Sequence, residues 1–234
     1  MLVSLPVAAA IAVLVSGSPA VRGQVCPASA TLCQSGDYMT GETAATTTSP
    51  TFEKHCSGPV MNVEDASFDI PAGKFSLAVG EGGEMRLWLR DAFTVTGPAP
   101  GTPIALHMRV RMQGYINWTG CCPDSQLFVG LSALEPQPSD PAPHWSLLKA
   151  GPYNAELYSD SLDITLQRNA GEPVGIAIYA LDRIHNAGSA RLEGTFTFVD
   201  LQPGWTVSSC KGYALDQPTP TVPGSWGRVK AAYR

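Results

Sequence analysis

The ten residues from Ile104 to Gln113 constrain the fold more tightly than any other stretch of the chain. Ile104, Leu106, Met108, Val110 and Met112 fall on one side of an extended backbone, and Ala105, His107, Arg109, Arg111 and Gln113 fall on the other. A period of two with one apolar and one polar side predicts a strand that buries one face and wets the other. Antiparallel sheets can leave a face to solvent in this way, whereas parallel sheets are covered on both faces. A second extended run, Phe93 to Thr96, precedes this strand across the Pro- and Gly-rich turn GPAPGTP.

The same alternation recurs along the chain. Ser67 to Ile70 is extended; Phe75, Leu77 and Val79 alternate, as do Met85, Leu87 and Leu89. GEGG between the last two runs predicts a hairpin turn, because glycine reaches positive φ without steric cost. Leu127 to Ala133, Leu162 to Leu166, Val174 to Ala180 and Ala190 to Phe198 follow, and Trp205 to Val207 closes the series. EPQPSDPAP, residues 135–143, reads as a surface loop, since proline removes ladder donors. With 23 Gly and 20 Pro punctuating 234 residues, turns are frequent and no helical period competes with the strands. The expected fold is all-β: an antiparallel β-sandwich, jelly-roll or Greek-key-like, of about eight or nine strands.

Residues 1–23 read as a signal peptide. The apolar run Leu5 to Val15 is shorter than the roughly 20 residues a membrane span needs, and the small residues after it suit cleavage following Gly23. No Lys or Arg precedes that run. Residues 24–55, rich in Thr, Ser, Ala and Gly, are expected to be loosely ordered and stapled by cysteines. Residues 56–214 form the sandwich, 215–224 a Pro-rich linker, and 225–234 a short amphipathic tail. The expected location is secreted, extracellular or periplasmic, with no transmembrane span after signal cleavage. Cys26, Cys33, Cys56, Cys121, Cys122 and Cys210 are an even set, and in an exported chain they predict structural disulfides. Cys26 with Cys33 is the easiest local closure. The adjacent Cys121 and Cys122 are expected to send at least one bond to a distant partner such as Cys56 or Cys210.

Chemistry is harder to find. A formal charge of -5 with only 15% charged residues argues against nucleic-acid binding through a general positive field. The sequence contains no GxSxG elbow, HExxH, P-loop or dinucleotide glycine pattern, so no catalytic or cofactor-binding residue is assigned and no cofactor is expected. It also has no CxxC pair, and its four histidines lack ligand spacing, so no metal site is assigned. His107 reads as a solvated residue, and Asp160 with Asp163 lacks the spacing of a calcium loop. The candidates for ligand binding are Trp118 and Trp145, followed by the polar strand face of His107, Arg109 and Arg111. Trp88, Tyr153 and Tyr158 are further aromatics near strand ends, able to stack on a sugar or to fill the core.

Two stretches carry a resemblance. DAFTVTGPAPGTPI, leading into the alternating strand, and the late GSARLEGTFTFVDLQPGWTVSSCKGY resemble exported β-sandwich domains of bacterial PEP-CTERM and related choice-of-anchor surface proteins. In those domains a GxPAGTP-like turn follows a strand, and an LPxGxxVxSxxG-like close follows the last one. The matching residues are Gly97 to Pro103 and Leu201 to Gly212, and the resemblance covers residues 68–213. It implies an exported sandwich at a bacterial envelope and transfers no active site. The Pro-Glu-Pro signal, spanning helix and basic cluster of that family are not found in the sequence, so the resemblance does not extend to that route of anchoring.

Residues and resemblance together predict a secreted or cell-surface, non-enzymatic module of structural or adhesive type, its partner a cell-surface glycan or another envelope protein. A carbohydrate-binding module using exposed aromatics is the second reading. The third is a hydrolase whose site only folding assembles, with His107 as the residue to test.

Overall fold

A computed structural model of the chain describes residues 26–35, 43–57, 63–118, 125–134, 136–149, 155–184 and 187–216. The expected signal peptide, the tail, most of the linker, Cys121, Cys122, Tyr153 and His185 lie outside the described residues. Fourteen strands are described: β1 (Ser29–Ser35), β2 (Thr43–Thr47), β3 (Thr51–Ser57), β4 (Val63–Asp69), β5 (Lys74–Val79), β6 (Gly83–Thr96), β7 (Pro103–Trp118), β8 (Gln126–Ala133), β9 (His144–Lys149), β10 (Ala155–Asn169), β11 (Pro173–Arg183), β12 (Gly188–Val199), β13 (Thr206–Ser209) and β14 (Ala214–Asp216). Every pairing among them is antiparallel.

The strands form two packed sheets. In sheet A the order is β14-β13-β6-β11-β8-β9, with β1 also paired to β6 and β2 to β1. In sheet B it is β10-β7-β12-β5-β4-β3. The central frame is eight-stranded: β6-β11-β8-β9 faces β5-β12-β7-β10, and the chain passes from one sheet to the other at nearly every connection. That winding is a jelly roll, which agrees with the expected sandwich, although fourteen strands are described where about eight or nine were expected. The remaining six strands extend its edges: β1, β2, β13 and β14 on sheet A, β3 and β4 on sheet B.

The alternating apolar residues of both sheets meet in one core. Leu106, Met108 and Val110 of β7 are fully buried, as are Met85, Leu87 and Leu89 of β6, Leu127 to Leu131 at alternate positions of β8, and Ile176 and Ile178 of β11. This geometry corrects the expected hairpin at GEGG. Gly82 does take positive φ, 61°, and Gly83 N–H donates to Gly80 O at 3.2 Å. The turn nevertheless joins β5 in sheet B to β6 in sheet A. Both flanking runs bury their apolar side in the core, β5 from sheet B and β6 from sheet A.

Two further expectations change. Residues 24–55 were expected to be loosely ordered, yet β1, β2 and most of β3 lie within them. Their Thr- and Ala-rich sequence carries little apolar alternation, and their order comes from pairing with β6 and β4 instead. The disulfides join Cys26 to Cys210 and Cys33 to Cys56, so the local Cys26–Cys33 closure does not form. Cys33 sits within β1, and seven residues of largely extended chain hold it about 20 Å from Cys26, beyond the reach of a disulfide. The Cys33–Cys56 bond links β1 of sheet A to β3 of sheet B. The two stretches that carry the family resemblance meet at one end of the sandwich: Val207 pairs with Val95, Trp205 covers Gly97, and Phe93 packs edge-on against Phe198 and Tyr213.

Candidate functional site

The jelly roll buries the inner faces of both sheets and leaves their outer faces to carry function. On sheet B, residues from all six strands align in register across the outer face. One row runs Ser161, Arg111, Thr195, Lys74, Asp69 and Thr51. The next runs Ser159, Gln113, Glu193, Ser76, Ser67 and Glu53. Together they line an open groove of about 1220 Å³. Among its polar contacts, Ser67 and Ser76 share a hydrogen bond of 2.8 Å, and Glu193 is held by Arg191 at 2.7 Å and by Gln113 at 3.3 Å.

A charged cluster lies beside the groove. His107 Nε2 is 3.2 Å from Asp163 Oδ1, and its Nδ1 is 3.2 Å from Asp200 Oδ2. Arg109 reaches both oxygens of Asp163, at 2.7 and 3.4 Å. That guanidinium, chiefly through its hydrogen bond, holds the Asp163 carboxyl below the ordinary range. Asp200 is the one described non-glycine residue with positive φ, 57°, a region Asp tolerates better than most side chains. Both ring nitrogens of His107 thus face carboxylates, and no hydroxyl or thiol among the described residues is hydrogen-bonded to them.

Sheet A is different in character. Its outer face carries four aromatic rings in a continuous strip over β6, β11, β8 and β9. Trp88 lies 5.4 Å from Tyr179, Tyr179 lies 5.6 Å from Phe128, and Phe128 stacks on Trp145 at 5.1 Å between centroids. Trp145 is 56% exposed and Leu147 beside it 47%. Gly130 makes the arrangement possible: a Cβ there would lie 2.2 Å from the Trp145 ring, which rests on the bare backbone. A shallow pocket of about 560 Å³ runs along the strip, with Arg90 and Ser132 as polar neighbours.

The five ligand-binding candidates therefore divide between two surfaces. Trp145 belongs to the aromatic strip, and Arg111 opens into the groove. His107 and Arg109 are engaged with carboxylates beside it, and the side chain of Trp118, last residue of β7, lies outside the described residues. Tyr158 is buried and donates to Ser146 Oγ at 2.7 Å, so it offers no stacking face. Asp160 and Asp163, three apart on β10, point to opposite faces; Asp160 takes the Ser146 hydroxyl while Asp163 takes Arg109. No group of three or more His, Cys, Asp or Glu that could hold a metal ion occurs among the described residues.

Phe128 and Tyr179 were missed from sequence, although a signal for them exists. Each occupies the off-beat position of an alternating strand: Phe128 between Leu127 and Val129, Tyr179 between Ile178 and Ala180, and likewise Trp88 between Leu87 and Leu89. Where the on-beat residues make the core, an off-beat aromatic points to solvent. No helix among the described residues is long and apolar enough to cross a membrane. Compared with protein-family models and with curated proteins, the chain matches none.

Proposed function

We propose that the chain is an exported, non-enzymatic β-sandwich module that works by adhesion at or outside a bacterial envelope, and that its aromatic strip stacks on the sugar rings of a cell-surface glycan. The strip on sheet A carries this reading. Solvent-facing strand positions ordinarily hold polar side chains, and four touching rings there add an apolar patch of the kind that marks an interaction surface. Flat aromatic faces complement the apolar C–H faces of pyranose rings, while Arg90 and Ser132 supply polar contacts at the margin. The two disulfides support an oxidising compartment. The pairing of His107 with two carboxylates supports a structural role for that histidine.

A glycan array probed with the purified chain tests the proposal. We expect reproducible binding to at least one glycan class. Trp145→Ala should weaken it about tenfold, the effect of losing one stacked ring at roughly 1 kcal/mol or slightly more. Gly130→Ala should weaken it too, because the added methyl displaces the ring without removing it. A chain that binds no glycan, or whose binding ignores both substitutions, would overturn the reading.

A further inference from the structure

The aromatic strip is bordered by positive charge on both sides. Across the outer face of sheet A one row runs Trp88, Tyr179, Gly130 and Trp145, and the row beside it is Arg90, Ala177 and Ser132. Rows on one face are two residues apart along the strands, about 7 Å. Ala177 and Ser132 are small, and the shallow pocket of about 560 Å³ opens over them beside the rings. Arg90 is exposed and, among the described residues, is the one charged side chain lining that pocket. It makes no ion pair among them, whereas Arg86, Arg109, Arg168, Arg183 and Arg191 each hold a carboxylate.

On the other side of the strip the rows are Arg86, Leu181, Phe128 and Leu147, then Glu84, Arg183, Gln126 and Lys149. Arg86 and Arg183 both hold Glu84, whose side chain is only 4% exposed. Lys149 is exposed at the sheet edge. Among the described residues of these rows, Arg86, Arg90, Arg183 and Lys149 thus stand against the single carboxylate of Glu84, on a chain whose formal charge is -5. The other acid that register places on this face, Asp216, pairs with Thr206 opposite Thr96, about 20 Å along β6 from Arg90. The groove on sheet B has no such bias, since Glu53, Asp69, Asp160 and Glu193 line it together with Lys74, Arg111 and Arg191.

A sugar ring stacked on the aromatic row places the substituents at its edge over the neighbouring row, where Arg90 stands. The planar guanidinium matches a carboxylate with two parallel hydrogen bonds, which no neutral hydroxyl accepts in the same way. Ser132, two strand steps from Arg90, offers a hydroxyl that both donates and accepts, suited to the hydroxyls of the same chain. Arg86, Arg183 and Lys149 extend the positive field over the rest of the strip and draw an anionic polymer to it. Granted that the strip stacks on sugar rings, we infer that the glycan it selects is a polysaccharide of uronic acids, one carboxylate being held by Arg90.

Isothermal titration calorimetry of the purified chain tests this with polygalacturonate, alginate and hyaluronan, each compared with its methyl-esterified form, which keeps the rings and removes the charge. At least one acidic polymer should bind, about tenfold more tightly than its ester, the gain expected from one charge-assisted contact. Arg90→Gln should bring the acidic form down to the affinity of its ester, and Arg90→Lys, which keeps the charge without the fork, should retain part of the preference. Added salt should weaken the acidic form more than the ester. The contacts of Arg90 with Ser29 and Lys211 are made by its main chain, so these substitutions spare them, and circular dichroism checks that the variants fold. Trp145→Ala should weaken acid and ester alike. Esters that bind as tightly as the acids, or a preference that survives Arg90→Gln, would overturn the inference, while binding still sensitive to Trp145→Ala would leave the stacking role of the strip standing. The inference is also overturned if none of the three acidic polymers binds, or if a single-stranded oligothymidylate binds as tightly as they do.

Discussion

Glu64, on β4, is a carboxylate only 1% exposed, with neither oxygen hydrogen-bonded among the described residues. Gly83 leaves room for it, since a Cβ there would lie 2.7 Å from Glu64 Oε1. Burial, with the charge of Glu84 adding to it, pushes the Glu64 carboxyl from 4.5 up to about 7. Glu84 itself is clamped by Arg86 and Arg183. The folded chain thus holds a proton that the unfolded chain releases near pH 4.5. Stability from this residue is fully present below pH 4.5 and is lost as pH rises through about 7. We expect Glu64→Gln to match the parent at pH 4 and to exceed it at pH 8, by on the order of 1–3 kcal/mol. Urea denaturation at the two pH values measures this, and a difference that does not grow with pH would refute it. Asp182, fully buried with both oxygens unpaired among the described residues, is shifted upward by desolvation in the same sense. Because it is present in both proteins, their difference isolates Glu64. Neither residue looks unusual in the sequence; Asp182 ends the buried face of an otherwise apolar strand, and only packing shows that the face continues through it.

At the scale of elements, β9 carries Trp145 and forms the edge of sheet A. An edge strand on its own is a poor platform, and two contacts fix this one to β10 of the other sheet. Tyr158 and Asp160 bind Ser146, and Arg168 takes both oxygens of Asp140 at 2.7 Å, in the loop just before β9. Both partners are buried, at 3% and 0% side-chain exposure, and the arginine hydrogen bond holds the Asp140 carboxyl below its ordinary value. Breaking one side of a buried pair leaves an uncompensated charge, so Arg168→Ala should cost about 3–5 kcal/mol. Arg168→Lys, which cannot form the two-pronged contact, should recover only part of it. Thermal denaturation of the two variants reads this directly, and faster proteolysis within residues 136–143 should accompany the loss. The sequence identified this loop from its prolines, and identified β5, β7, β8, β10, β11 and β12 from their alternation, because each buries one face and exposes the other. It did not identify β1, β2, β3, β9 and β14. These are short or peripheral strands with mixed faces, ordered by the neighbours they pair with.

For the whole molecule, the disulfides set how firmly the peripheral strands are joined to the roll. Cys33–Cys56 closes a loop of 23 residues and links the two sheets; Cys26–Cys210 closes 184 residues and joins the start of β1 to the turn before β14. Constraint of the unfolded chain grows with the logarithm of loop length. Paired serine substitutions should therefore cost about 3 kcal/mol at Cys33 and Cys56 and about 5 kcal/mol at Cys26 and Cys210. Chemical denaturation of the two double variants gives the ranking, and equal losses would contradict a loop-length origin. By itself the sequence determined the all-β class, since period-two alternation in at least seven runs calls for antiparallel sheets whose apolar faces meet in a common core, as in a sandwich or a barrel. It also placed His107, Arg109 and Arg111 on one wet face, because residues two apart in a strand share a side. Tertiary structure alone decided which strands are neighbours. It brought Lys74, 37 residues before Arg111, into the same row through β12, and it joined Trp88, Tyr179, Phe128 and Trp145 into one strip. Alternation fixes the side each residue takes but carries no information about which strand lies next to which; that is set by how the two sheets close around a common core.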